Sequence, residues 1–387
     1  MYNMTGIKFL KKIAAIIGID SNDVFKFTYT EQKYFLESFT EPRDDIERSY
    51  NQYRCQMKLR GRLTELFLNL ASLPLIFYYY LKKNNTLEID KKCDATYITA
   101  GILSRSLLPN SLIEKYHVLR DIKVLKECFT SSDKFFFKKL VCRYPFSWHF
   151  LFKILVKIRV YSYLLQNYEP KAIITCNEYS FTSSALTCYC NENHVKHINV
   201  MHGEKLYFLR DTFFHYDVCY IWSAFYQTLF TKLRAEKTQF SVFTPPSLIL
   251  GDGKQTKKEF DYTYYLGGEK DITIDKIIST LQKLAHKGNK VAIRPHPIYT
   301  DLNELKKYCY KENNIAIENK DEIDIAKSVL RTKHAISLYS TVLNQAYHSG
   351  VDIVIDDVTN LEKYLKLKEY HYIMLNVKHT LLSDLIK

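Results

Sequence analysis

Ala172-Ile173-Ile174-Thr175-Cys176, followed by Phe181 to Asn193 and then by His197-Ile198-Asn199-Val200-Met201, is the stretch that decides the fold. Its first and last members are short apolar runs of strand length. The segment between them reads as a helix with small residues, Thr182, Ser183, Ser184 and Ala185, along it. Two short apolar strands joined through a helix are the signature of a parallel sheet, whose strands need a crossover and are covered on both faces. Upstream, Phe146 to Leu165 predicts a helix that Glu169-Pro170-Lys171 stops. Residues 45–70 carry apolar positions at helical spacing (Ile46, Tyr50, Tyr53, Met57, then Leu63, Leu66, Phe67) among mixed charge, a helix leading into the first domain.

The alternation returns downstream. Tyr262-Thr263-Tyr264-Tyr265-Leu266 predicts a strand, Gly267-Gly268 a turn, Ile274 to His286 a helix, and Val291-Ala292-Ile293 a strand ending at Arg294. Asn314 to Ile317 predicts a strand, Ile323 to Arg331 a helix, His334 to Ser337 a strand, Thr341 to Ser349 a helix, and Val351 to Ile355 a last strand. Between the halves, from Thr244 to Phe260, the chain turns polar around Gly251-Asp252-Gly253-Lys254. At 387 residues the length exceeds what one core ordinarily holds. The expectation is therefore an α/β protein of two doubly wound Rossmann-like domains, 1–245 and 260–387, facing a central cleft. The last helix is free to pack back on the first domain.

Composition narrows the partners. Hydrophobic residues make up 47% and charged ones 25%, which is globular. The formal charge of +13 draws phosphate-bearing partners: sugar nucleotides, an anionic membrane leaflet or nucleic acid. Basic residues are interspersed with acids and no nucleic-acid motif occurs, so no nucleic-acid partner is expected; a non-catalytic nucleic-acid or phosphate-binding protein is the competing class. The nine cysteines are scattered and never form Cys-x-x-Cys, which fits buried thiols in a reducing compartment. No metal site is expected of Cys188, Cys190, His194 and His197, because the sulfurs fall on a helix that should be packed. No run approaches the ~18 to 20 apolar residues of a membrane span. The longest, Leu73-Pro74-Leu75-Ile76-Phe77-Tyr78-Tyr79-Tyr80-Leu81, predicts a buried strand or helix. The segment Ile7 to Ile17 lacks the apolar core and cleavage site of a signal peptide, and reads instead as a basic amphipathic helix touching lipid headgroups.

Ligands of parallel sheets sit at the carboxyl ends of strands, and that filter selects the candidate residues. In Arg294-Pro295-His296-Pro297 two prolines stiffen a strand-end loop and fix one imidazole, a donor for a phosphate or for charge on a departing nucleotide. Ser337-Leu338-Tyr339-Ser340-Thr341 opens a helix, where hydroxyls and amides form an anion site; an ordinary N-cap explains the same residues. Gly267-Gly268 is compatible with a donor site and with any strand-to-helix turn. In the first half, His202-Gly203-Glu204 and Asn177-Glu178 follow strands, and His202 or Glu178 is a candidate base for an acceptor hydroxyl, with Glu204 and Asp211 near enough in sequence to orient the acceptor.

Arg-Pro-His-Pro at 294–297 and Ser-Thr at 340–341 resemble the His-Pro and Ser-Ser/Thr motifs of bacterial GT-B sialyltransferases and related transferases that use CMP-activated 2-keto sugars. The resemblance covers the C-terminal half. It implies that His296, Ser340 and Thr341 hold the CMP phosphate and that Glu318 binds the ribose. It also implies a donor-binding C-terminal domain and an acceptor-binding N-terminal one. That family's base lies in an acidic-acidic-Gly motif, for which this sequence offers Asn177-Glu178-Tyr179 or His202-Gly203-Glu204. The His-Gly pair also resembles wall-polymer glycerophosphotransferases that use CDP-glycerol. The implied enzyme is an inverting glycosyltransferase, metal-independent because no Asp-x-Asp ends a strand. It would move sialic acid from CMP-sialic acid to a lipid-linked oligosaccharide of lipopolysaccharide O-antigen or capsule, in the bacterial cytoplasm, peripheral at the inner membrane face. No cofactor is expected.

Overall fold

The computed structural model describes residues 19, 21–88, 92–98, 103–269, 272–309, 314–319 and 321–387. The segment 7–17, expected to touch lipid, lies outside the described residues. The chain divides into two compact units, one of Met1–His202 and Tyr207–Phe243, the other of Gly203–Leu206 and Thr244–Lys387.

The first unit is built on strands β1 (Ala95–Ile98), β2 (Leu119–Ile122), β3 (Ala172–Thr175), β4 (Lys196–Val200), β5 (Val218–Ile221) and β6 (Phe240–Val242). All pair in parallel, in the order β2-β1-β3-β4-β5-β6. Both faces are covered, which explains the unbroken apolar runs. Ala172 and Ile174 pack with Tyr97, Leu112 and Val200 on one side. On the other, Ile173 packs with Ile154, Ile158 and Ala185 of the helices Trp148–Tyr168 and Ser183–Glu192. The first of these helices ends where predicted, with Glu169 left-handed at φ 45° before Pro170.

The second unit uses β7 (Phe260–Tyr265), β8 (Val291–Arg294), β9 (Ile315–Ile317), β10 (Thr332–Ser337), β11 (Asp352–Ile355) and β12 (Thr380–Leu381), all parallel, in the order β12-β11-β10-β7-β8-β9. Counted from β7, that is 3-2-1-4-5-6 from the β9 edge, the dinucleotide-fold order. Ile293, Ile336 and Val354 pack on the helix Ile272–His286, while the helix Thr341–His348 lies against β10 and β11. The last helix, Leu382–Ile386, joins the Ile272–His286 side of this same unit. The expected two doubly wound α/β domains are therefore present.

One expectation is overturned. The run 45–70 becomes two helices, Asp45–Arg60 and Arg62–Leu81, parted at Gly61, whose φ of +90° is non-helical. The apolar residues 73–81 form the second half of the latter helix, and most are exposed rather than buried. Only the face carrying Leu68, Ser72, Ile76 and Tyr79 packs inward, where the Ser72 hydroxyl meets His149 Nδ1 at 3.0 Å.

Candidate functional site

Open parallel sheets take ligands beyond the carboxyl ends of strands, where strand order reverses. In the second unit that point lies between β7 and β10. β7 runs into Gly267-Gly268, β10 into Leu338–Thr341, and β8, beside β7, into Pro295–Tyr299. The loops touch. A Cβ on Gly267 would lie 3.3 Å from the Tyr339 carbonyl oxygen, and one on Gly268, whose φ is +121°, 3.2 Å from Tyr299 Cβ. The glycine amides already grip a carboxylate, since both donate to Glu269 Oε2, at 2.6 Å from Gly267 and 3.1 Å from Gly268. Paired amides at a strand end are anion-binding geometry.

His296 is held with one nitrogen committed. Its Nδ1 accepts from the backbone amides of Ile298 (3.1 Å) and Tyr299 (3.2 Å), its own amide donates to Thr300 Oγ1 at 3.2 Å, and the Tyr299 ring stacks on the imidazole at 4.5 Å. An Nδ1 that accepts twice fixes the neutral tautomer with its proton on Nε2. The ring is thus a donor through Nε2, which is what a developing phosphate charge requires. Pro297 is exposed. Ser340 accepts from the Val342 amide at 3.2 Å as N-cap of the Thr341–His348 helix, and Thr341 is the exposed first residue of that helix. Ser337, by contrast, is fully buried and donates to the Tyr265 carbonyl at 2.8 Å, tying β10 to β7.

Arg294 and Glu318 form a buried ionic cluster. Arg294 donates to Glu318 Oε2 at 3.1 Å and to the Ile323 carbonyl at 2.8 Å. Arg331 donates to Glu318 Oε1 at 2.7 and 3.1 Å, and the Ser328 hydroxyl bonds Oε2. Both oxygens of Glu318 are thus doubly engaged, so the ribose contact that the resemblance implies for it would compete with these bonds. The cluster anchors the base of the His296 loop. Glu318→Ala leaves the buried Arg294 guanidinium without its counter-charge, while Arg331 keeps Glu259 at 2.9 Å, and the expected loss is about 3–5 kcal/mol of stability, read from urea unfolding. A loss below about 1 kcal/mol, the size of a surface pair, would show that water already screens the cluster.

In the first unit the reversal lies between β1 and β3; residues 99–102, after β1, lie outside the described residues. After β3, Glu178 is fully buried. The β3–β4 register sets Thr175 opposite Asn199, whose side chain caps the Asn177 amide (2.8 Å) and donates to Glu178 Oε2 (3.1 Å). His202, after β4, brings Nδ1 to 3.5 Å from Glu178 Oε1, with its side chain 28% exposed against 0% for Glu178. The two alternative bases therefore stand together as an imidazole–carboxylate pair, in which only the imidazole reaches solvent.

Glu204 belongs to the second unit, where Asn344 Nδ2 donates to its Oε1 at 3.3 Å. Burial pushes its carboxyl up to about 7, against the opposing hydrogen bonds from Asn344 and Tyr372. A carboxyl ordinarily at 4.5 binds its proton more tightly folded than unfolded, so its contribution to stability is complete below pH 4.5 and lost as pH rises through about 7. Glu204→Gln should accordingly raise the melting temperature at pH 8 and not at pH 4.5; an equal shift at both would deny the linkage. Asp211 is buried and paired with Arg210 at 2.8 Å, and Arg210 also lies over the Tyr179 ring. His197 is a core histidine: Tyr161 hydroxyl meets Nε2 at 2.9 Å, Thr187 hydroxyl meets Nδ1 at 2.8 Å, and burial pushes it down to about 3. Among the described residues no group of three His, Cys, Asp or Glu is arranged to hold a metal.

Sequence reasoning missed Tyr299, Glu269, Arg331 and Asn199. Only Asn199 left a signal, an amide inside an otherwise apolar strand.

No protein-family model matches the chain, and no curated protein matches it. Among solved structures, the chain is similar to the lipopolysaccharide outer core galactosyltransferase WaaB (12% identity, 68% of this chain and 80% of that one, TM-score 0.39). It is also similar to a UDP-N-acetylglucosamine 2-epimerase from Rickettsia bellii (11%, 75% and 91%, TM-score 0.40), and to the wall teichoic acid polymerase TagF (12%, 87% and 88%, TM-score 0.41). At such distances the chemistry has to be read from this chain's own residues.

Proposed function

We propose that the chain is an inverting, metal-independent glycosyltransferase of the GT-B type, which transfers sialic acid from CMP-sialic acid to a lipid-linked surface glycan, an O-antigen or capsule chain. It would work peripherally at the inner face of a bacterial cytoplasmic membrane. The observation that carries the reading is the second unit's switch point, where paired glycine amides, a capped helix N-terminus and an imidazole locked as an Nε2 donor occupy adjoining strand ends. Helix N-termini and amide pairs bind phosphate without a metal.

In this reading the CMP phosphate lies between Gly267-Gly268 and Ser340-Thr341, displacing the Glu269 carboxylate. His202 Nε2 takes the acceptor hydroxyl proton while that oxygen bonds to the anomeric carbon. The bond from that carbon to the phosphate oxygen breaks, and the charge left on CMP is met by the His296 Nε2 proton and the helix amides. Glu178 orients His202, Glu318 and Arg294 hold the His296 loop, and Glu204 with Asp211 borders the acceptor. A CDP-glycerol-dependent glycerophosphotransferase would use the same anion cradle, and the His202-Gly203 pair favours it as second reading.

Melting the protein with CMP, UDP, GDP and CDP-glycerol separates the readings. CMP at about a hundred times its Kd should add about 2.7 kcal/mol, and transfer should continue in excess EDTA. Stabilisation by CDP-glycerol and not CMP selects the second reading; no response to any of the four removes the nucleotide site.

A further inference from the structure

We propose that the Arg62–Leu81 helix docks this chain on an anionic phospholipid surface, lying along the headgroup layer with its outer face in the acyl boundary. Twenty residues make it about 30 Å long. It has no charge from Leu66 to Leu81. Leu63, Phe67, Leu70, Pro74, Phe77 and Leu81 follow one another at steps of four and three, which is one continuous stripe, and all are exposed, Leu63 by 84%, Phe77 by 65% and Leu81 by 76%. Leu66 and Tyr78 widen it. The opposite face is fixed to the Trp148–Tyr168 helix through Leu68, Ser72–His149 and the edge contact of Tyr79 with Phe152, so the stripe is displayed by a rigid support. A patch of this size on a folded protein marks an interaction surface.

The charges choose the occupant. Arg62 opens the helix and Lys83 stands past its end, beyond Lys82, which pairs with Glu127 at 2.9 Å; Phe77, Tyr78, Leu81 and the two lysines line one depression there. Glu65, the one acid on the helix, is half-buried. An apolar stripe with tyrosine beside it and cations at both ends matches an anionic interface. A second copy fits worse, because pairing stripe on stripe, parallel or antiparallel, brings basic end against basic end. Among the described residues no helix is long and apolar enough to cross a membrane, and this one has a face committed to protein, so it lies on the bilayer. The assignment rests on the peripheral-membrane part of the proposed function and names its site, while the donor and the transfer reaction stand or fall separately.

Co-sedimentation of the full chain with vesicles tests it, with phosphatidylcholine alone compared against equal parts phosphatidylcholine and phosphatidylglycerol. Wild type should pellet with the anionic vesicles, and less at high salt. Leu70→Glu/Phe77→Glu, two exposed positions, should weaken binding at least about tenfold with an unchanged melting temperature. Arg62→Ala/Lys83→Ala should weaken binding to the anionic vesicles alone. Wild-type binding by the Leu70→Glu/Phe77→Glu variant overturns the proposal. So does indifference of the wild type to both vesicles, or a dimer in solution that the same variant makes monomeric.

Discussion

His296→Ala should lower transfer turnover by about two to three orders of magnitude, the cost of removing one positioned donor to a developing anion, while the melting temperature stays within a degree or so of wild type. The separation is expected because the ring lies half-exposed on a loop, with local hydrogen bonds from Ile298 and Tyr299 to Nδ1. Two further substitutions split the imidazole's two jobs. Asparagine places a carbonyl oxygen where Nδ1 stands and so keeps the loop bonds without the outer donor. Glutamine places its amide nitrogen near Nε2 and keeps a donor. If the proton on Nε2 acts on the leaving phosphate, His296→Gln retains more turnover than His296→Asn, and His296→Asn behaves like alanine. If the ring serves only to shape the loop, asparagine rescues and glutamine does not. Near-wild-type turnover in all three would remove His296 from the donor site.

The strand-end position of His296 was legible because prolines on both sides leave few conformations for the loop. So were β3, β4 and β7 to β11, apolar runs set between turn residues. Of the strands that escaped, two lacked that contrast. β2 reads Leu119-Arg120-Asp121-Ile122, with two charges in four residues, and lies at the sheet edge where its outer side is solvated. β12 is two residues long. The Arg62–Leu81 helix was misjudged for a different reason, since an apolar run states that a surface avoids water and not what covers it. The ionic cluster was out of reach from sequence, because Arg331 meets Glu318 only through the pairing of β7 with β8 and β10 and of β8 with β9. The pairing of Glu178 with His202 was hidden likewise: 24 residues apart, they meet because β3 and β4 end side by side.

That pairing changes what removal of each residue should do. Glu178 has no exposed surface and receives a hydrogen bond from Asn199, so it acts on an acceptor only through His202, whose ring is partly open to solvent. His202→Ala should therefore cost about two to four orders of magnitude in turnover, the usual price of losing a general base, with CMP affinity by calorimetry unchanged. Glu178→Gln preserves shape and the contact with Asn199 but removes the charge that steadies the imidazole, and its loss should be smaller. The double variant decides between a relay and two separate contributors. Residues that act as one unit are non-additive, so His202→Ala/Glu178→Gln should be no slower than His202→Ala alone. Multiplying losses would mean that Glu178 has its own contact with the reaction. A Glu178→Gln enzyme slower than His202→Ala would make the carboxylate the base, and its burial would then have to open when the acceptor binds.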